Sequence, residues 1–133
     1  MGLFKKKKKN NRAHITREIQ IGNQKIILNS RGLVPVVLQR LLNDQILVLG
    51  VVYMNREALE MSLSSGEAYI FKRSKNRIVK LGEDTQGSVK IDSILLNKNH
   101  RALLLTVSET SQTMPHQTFV HTLYPKSYEY EFK

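Results

Sequence analysis

The chain has 133 residues, a formal net charge of +10 and no cysteine. This length supports one domain with its own hydrophobic core. The absence of cysteine excludes a disulfide framework and fits a reducing compartment or an organelle interior. The longest apolar run, residues 46–54, is too short to cross a bilayer as a helix. We therefore expect a cytoplasmic or organellar protein that is not secreted and does not contact a membrane.

The positive charge is concentrated at the amino terminus. Six basic residues and no acidic one occur in the first twelve positions, whereas the rest of the chain has 15 basic and 11 acidic residues. Consecutive lysines repel one another and lack apolar periodicity, so segment 1–12 is predicted to be a flexible tail. The tail either solubilises the protein or binds a polyanion such as RNA. Its basic residues are Lys5, Lys6, Lys7, Lys8, Lys9 and Arg12.

Most of the predicted elements are strands. Alternating polar and apolar residues flank Gly22-Asn23, which favours a hairpin turn, and Asn43-Asp44 is predicted to join the next two strands. The predicted strands, in chain order, are 17–21, 24–28, 34–40, 46–53, 68–73, 77–80, 88–95 and 102–107, with 128–132 as the last. The fold class is therefore mainly β, of the α+β kind.

One main helix is predicted over residues 56–64. Asn55 is a favourable capping residue at its amino terminus, and Gly66 is placed to end it. Residues 58–59 and 61–63 are predicted to face the sheet. The helix thus has a core role that requires no cofactor.

A second basic cluster lies in the hairpin predicted over residues 68–80. It is either a phosphate-binding or RNA-binding surface or a solvated hairpin face. Tyr69 and Phe71 are interleaved with these charges, but their spacing of two predicts that they pack inward. The residues predicted to bind a polyanion are Lys72, Arg73, Lys75 and Arg77.

Six short strings occur in the order and rough spacing of a known enzyme family. They are Gly32-Leu33-Val34-Pro35, Tyr53-Met54-Asn55-Arg56-Glu57-Ala58-Leu59, Ser65-Gly66-Glu67-Ala68, Lys72-Arg73-Ser74-Lys75, Leu81-Gly82-Glu83 and Arg101-Ala102-Leu103-Leu104-Leu105. Over about residues 27–124 the chain resembles phosphoribosyl-AMP cyclohydrolase, a zinc and magnesium hydrolase of histidine biosynthesis. The resemblance implies a pseudo-barrel of antiparallel strands and an intertwined homodimer with active sites at the subunit interface.

The ligands that the resemblance implies are almost all replaced. The family binds zinc with three cysteines, and this chain has none. An acidic Asp-x-Asp-x-Asp run of the family reads Asn97-Lys98-Asn99-His100-Arg101 here, which lacks the anionic oxygens that hard cations prefer. A Cys-His pair aligns with Pro115-His116, and Glu83 is kept from a substrate-binding loop. The predicted vestigial site consists of Glu83, Asn97, Asn99, Arg101 and His116, with no metal and no other cofactor.

Three histidines leave one alternative open. His100, His116 and His121 would form a three-imidazole zinc site if the fold brought them together. Such ligands usually have carboxylate partners, and Glu109 is the only acidic residue between His100 and His121. The alternative interpretation is that they are unrelated polar residues.

The predicted function is that of a non-catalytic cyclohydrolase-like protein, recruited as a structural or RNA-binding part of a ribonucleoprotein complex through its basic arm. The alternative is a vestigial phosphoribosyl-ligand module that acts as a sensor or regulator. RNA or a ribonucleoprotein is the expected partner, and a homodimer is expected from the resemblance. The predicted division is a tail (1–12), an added hairpin (13–28), a cyclohydrolase-like domain (29–124) and a carboxy-terminal strand extension (125–133).

Overall fold

Eight strands and one α-helix form the part of the protein that its computed structural model describes, residues 17–108 and 110–125. The basic tail and the strand predicted over 128–132 lie outside these residues. The elements are β1 (Glu18–Ile21), β2 (Gln24–Ile27), β3 (Val34–Leu42), β4 (Gln45–Met54), α1 (Arg56–Ser65), β5 (Tyr69–Lys72), β6 (Arg77–Lys80), β7 (Ile91–Leu96) and β8 (Leu103–Val107). The predicted fold class, mainly β with one main helix, is confirmed.

The largest sheet has four strands in the order β4-β3-β8-β7. β3 pairs with β4 and β7 pairs with β8 in antiparallel fashion, but β3 and β8 are parallel. The expectation of antiparallel strands throughout is therefore corrected for this pair. A parallel neighbour needs a long crossover, and here that connection contains α1 and the β5–β6 hairpin. Strands β1–β2 and β5–β6 form separate two-stranded hairpins.

The hydrophobic core lies on one face of the four-stranded sheet. Val34, Val36 and Leu38 are buried on β3 because alternate residues of a strand point to the same face. Leu105 is fully buried beside them, and Leu59 of α1 packs in the same core cluster. Helix and sheet therefore enclose one common core.

Helix α1 has the ends that were predicted. The Asn55 side chain accepts a hydrogen bond from the Ala58 amide at 2.8 Å, and Gly66 has φ +76° at the other end. The prediction for its inner face is wrong at Leu63, which is 47% exposed, whereas Ser62 within the same predicted range is buried. The Ser62 hydroxyl accepts from the Tyr69 amide at 2.9 Å and donates to the Tyr69 carbonyl at 3.2 Å, so this polar residue tethers β5 to the helix.

A bulge in β4 positions the candidate site. Leu38 pairs with Gly50 whereas Gln39 pairs with Val48, so Leu49 is an extra residue in the strand. Leu49 nevertheless keeps its side chain in the core, where it is 2% exposed. Within the described residues no helix is both long and apolar enough to span a membrane.

Candidate functional site

The main candidate site is a cavity of about 360 Å³ between β4, the end of β5 and residues 115–118. This volume lies in the range of roughly 300–1,000 Å³ that is common for small-molecule sites. Apolar side chains such as Leu49, Val52 and Ile70 form much of its wall. Its basic or ionisable lining residues are Lys72, Arg73 and His116. The cavity therefore combines an apolar interior with groups that attract an anion.

Arg73 is held at the cavity by an aromatic ring. Its guanidinium carbon lies 4.3 Å from the centroid of the Tyr53 ring, which is the geometry of a cation–π contact. Tyr53 is on β4 and also lines the cavity. The ring covers one face of the guanidinium, whereas the N–H donors lie in the guanidinium plane. These donors can therefore bind an oxyanion while the ring contact is kept.

The other basic residues of the β5–β6 hairpin divide into two groups. Arg77 lies 3.6 Å from Glu83, and Lys80 lies 3.5 Å from Glu67, so both have carboxylate partners. Lys72 ends β5 and Lys75 lies in the turn that follows. Among the residues that the structure describes, no carboxylate forms an ion pair with Lys72, Lys75 or Arg73. Within the described part of the chain, these three residues are therefore not held in an ion pair.

The carboxy-terminal wall of the cavity is tied to the β4 bulge. The Thr118 amide and hydroxyl both donate to the Leu49 carbonyl, at 2.8 Å and 2.9 Å. Gly50 permits this approach, because a Cβ at that position would lie 2.6 Å from the Thr118 hydroxyl oxygen. Pro115 and His116, which shortly precede this attachment, line the same cavity as the β5 residues.

The residues of the predicted vestigial site do not meet in one place. Glu83 lies in a short 3-10 turn and pairs with Arg77, whereas His116 lines the main cavity. Asn97 lines a separate apolar groove beside Val37. Of the predicted site residues, the structure therefore brings together Lys72, Arg73 and His116 at the main cavity.

The turn from Asn97 to Arg101 holds the β1–β2 hairpin. The His100 ring donates from Nδ1 to the Lys25 carbonyl at 2.6 Å, and the His100 carbonyl accepts from the Ile27 amide at 2.8 Å. The side chain of Asn99 accepts from the Arg101 amide at 3.1 Å. In this chain the turn that aligns with the family's acidic run thus serves as an anchor for the hairpin.

The residues present do not fit the zinc and magnesium ligands that the resemblance implies. The sequence contains no cysteine, and the run at 97–101 supplies amides and a guanidinium in place of carboxylates. Within residues 17–108 and 110–125, no three His, Cys, Asp or Glu side chains are grouped as metal ligands. The alternative site of His100, His116 and His121 is not assembled there either. We derive no chemical step through a metal ion.

Sequence reasoning missed three residues of the cavity. Tyr53 was noted only as part of a family string, and Gly50 only as part of an apolar run. No sequence pattern indicated Thr118, because its hydrogen-bond partner Leu49 lies 69 positions away in the chain. Phe71 was predicted to pack inward and instead lines the cavity half-buried, because Ile70 is the buried residue of β5.

Comparison with known proteins identifies relatives of the chain. Residues 50–123 match the family described as phosphoribosyl-AMP cyclohydrolase. The phosphoribosyl-AMP cyclohydrolase of Nitrosospira multiformis is 31% identical over 102 residues, which cover 77% of each chain. The enzyme of that name from Nitrosomonas europaea is 38% identical over 78 residues, 59% of each chain. The histidine biosynthesis bifunctional protein HisIE of Staphylococcus epidermidis is 38% identical over 89 residues, covering 67% of this chain and 41% of that protein.

These relatives correct two predictions. Proteins named as phosphoribosyl-AMP cyclohydrolases align at 31–38% identity, so the prediction of a pseudoenzyme that is not an enzyme is wrong. The description as an RNA-binding pseudoenzyme of a ribonucleoprotein is wrong for the same reason. The prediction inferred lost activity from replaced ligands, and replaced ligands alone do not establish that the reaction is lost. Polyanion binding by the basic tail stays a prediction, because the tail lies outside the described residues.

The family assignment and the fold agree. The chain spans about two fifths of the length of the bifunctional relatives it matches, and about three quarters of the single-function enzyme from Nitrosospira. The matched region begins at Gly50 in the β4 bulge and runs through α1, the basic hairpin and β8 to residue 123. It includes every residue that lines the main cavity except Leu38 and Leu49. The chain belongs to the phosphoribosyl-AMP cyclohydrolase family.

Proposed function

We propose that this protein binds a phosphoribosyl purine nucleotide in the main cavity, as a step in histidine biosynthesis. The observation that supports this most strongly is the Arg73 guanidinium held 4.3 Å from the Tyr53 ring centroid at a mostly apolar cavity. The class of ligand comes from the names of the relatives, which state phosphoribosyl-AMP.

The cavity has separate surfaces for the two ends of such a ligand. A purine ring is flat and apolar on its faces, so it gains free energy when walls such as Leu49 and Val52 remove it from water. A phosphate group is suited to Arg73 and Lys72, because a guanidinium binds phosphate through two N–H donors and an ammonium adds charge. His116 lines the same cavity, and its ring nitrogens can donate to or accept from the nucleotide.

Turnover is a measurement distinct from binding. The residues described here bind and orient a nucleotide, and they do not supply the cysteine set that the family uses for zinc. Incubation of the full chain with phosphoribosyl-AMP, followed through the absorbance change that accompanies adenine ring opening, measures turnover directly. Ring opening that is lost in Arg73→Ala would place the reaction at this cavity, and ring opening that Arg73→Ala leaves unchanged would contradict that placement.

Calorimetric titration with AMP tests the binding proposal. Arg73→Ala removes a charged hydrogen-bond donor of the type that contributes about 1.5–3 kcal/mol, so AMP affinity should fall at least about tenfold. Arg56→Ala is the matched control, because Arg56 is an exposed arginine on α1 that pairs with Glu60 at 3.2 Å. Equal affinity in the two variants, or no AMP binding by the unmodified chain, would contradict the proposal.

A further inference from the structure

Two cavities meet at one short stretch of chain. The main cavity of about 360 Å³ and a second of about 190 Å³ share Leu81, Pro115 and His116 in their linings. Residues 113–118, which we call the strap, contain two of these three residues and have no helix or strand structure. The position of His116 in both linings therefore depends on what holds the strap at its two ends.

The first end of the strap is held by a methyl group. A Cβ at Gly82 would lie 2.5 Å from Thr113 Cγ2, and a Cβ at Gly87 would lie 3.2 Å from it. The Thr113 methyl thus packs against the backbone of the 82–87 loop. It occupies space that a side chain at Gly82 would otherwise fill. The Thr85 hydroxyl also donates to the Thr113 hydroxyl at 3.3 Å, a long bond on the protein surface.

The second end of the strap is held by a hydroxyl group. Thr118 donates from both its amide and its hydroxyl to the carbonyl of Leu49, the extra residue of the β4 bulge. The neighbouring Gly50 again leaves the space that the threonine occupies. At each end of the strap a threonine therefore packs against a glycine. Thr113 contacts Gly82 through its methyl group, and Thr118 contacts Gly50 through its hydroxyl group.

We infer that Thr113 and Thr118 are positioning residues that fix the strap at both ends and thereby hold His116 in the wall shared by the two cavities. A segment without regular structure otherwise loses conformational freedom when a ligand orders it, which weakens binding. The two threonines fix the strap before the ligand arrives. The expected effect on ligand binding rests on the proposed function, whereas the position of His116 can be measured without any ligand.

Paired substitutions at the two threonines test the inference. Thr118→Val keeps the shape but removes the hydroxyl, and Thr118→Ser keeps the hydroxyl. Thr113→Ser removes only the methyl that packs against Gly82. Thr122→Val, at an exposed threonine beyond the strap, is the control. NMR spectra of the His116 ring report the strap without ligand, and calorimetry with AMP reports the site.

We expect Thr118→Val and Thr113→Ser to shift and broaden the His116 ring signals and to weaken AMP binding roughly two- to tenfold. Thr118→Ser and Thr122→Val should match the unmodified protein in both measurements. His116 ring signals that are unchanged in Thr118→Val and Thr113→Ser would overturn the inference. If the unmodified chain does not bind AMP, the proposed function fails, and the ring signals still decide whether the threonines position His116.

Discussion

Tyr53 is the residue whose role depends most on the three-dimensional structure. It is the second-to-last residue of the edge strand β4, and its ring contacts the Arg73 guanidinium at the cavity. Tyr53→Leu should lower AMP affinity about twofold to thirtyfold, because a cation–π contact contributes about 0.5–2 kcal/mol and its loss frees Arg73. Tyr53→Phe retains the ring and should bind AMP as the unmodified protein does. Calorimetry that finds both variants equally impaired would show that the hydroxyl, and not the ring, is the important group.

The sequence located the charged residues of the site but not their partners. Charge patterning was enough to select Lys72 and Arg73, because a basic cluster is visible without a fold. Charge patterning could not show that Arg77 differs from these residues. Arg77 forms an ion pair with Glu83, which lies in the loop after β6. Contacts such as Tyr53 with Arg73 follow from the placement of β4 beside β5, which no local pattern encodes.

At the scale of elements, the sequence predicted the strands and the helix through local signals. The two-residue turn at Asn43 and Asp44 has positive φ at both positions, 52° and 64°, as its dipeptide indicated. The β3–β8 pairing was missed, since parallel neighbours are far apart in the chain and leave no turn signal. The bulge at Leu49 was missed as well, because a continuous apolar run does not reveal an extra residue.

The attachment of the β1–β2 hairpin to the turn at 97–101 gives a prediction for that element. His100→Ala removes the ring donor to the Lys25 carbonyl, a bond of about 1 kcal/mol, and should speed amide hydrogen exchange at Ile27 roughly fivefold. The Leu105 amide in β8 should exchange at its normal rate, because the central sheet does not depend on this bond. His121→Ala, at an exposed histidine, serves as the control. Equal protection of Ile27 in both variants would refute the anchoring role.

At the scale of the whole molecule, the outer face of the four-stranded sheet carries exposed apolar side chains. By strand register these residues share one face: Leu41, Ile46, Val48, Val51 and Leu95, each between 37% and 63% exposed. An apolar surface of this kind is typical of a protein interface. A homodimer, the arrangement that the family resemblance implies, would cover it and stays a prediction.

Light scattering on the purified full chain measures the predicted dimer. The mass should be twice that of the chain, and Ile46→Lys and Leu95→Lys should shift it to the monomer, because a charge in an apolar interface loses its water without gaining a partner. Leu63→Lys on α1 is the control, since Leu63 is also exposed but lies away from the sheet. A monomeric unmodified chain would contradict the prediction.

The location of nucleotide binding is the central claim, and an NMR titration of the ¹⁵N-labelled full chain with AMP tests it most directly. The amide shifts should change at Gly50 and Tyr53, at Lys72 and Arg73, and at His116, because these residues line one cavity. Amides of the turn at 97–101 should stay unchanged. Shift changes confined to that turn, or no saturable change at any amide, would contradict the account.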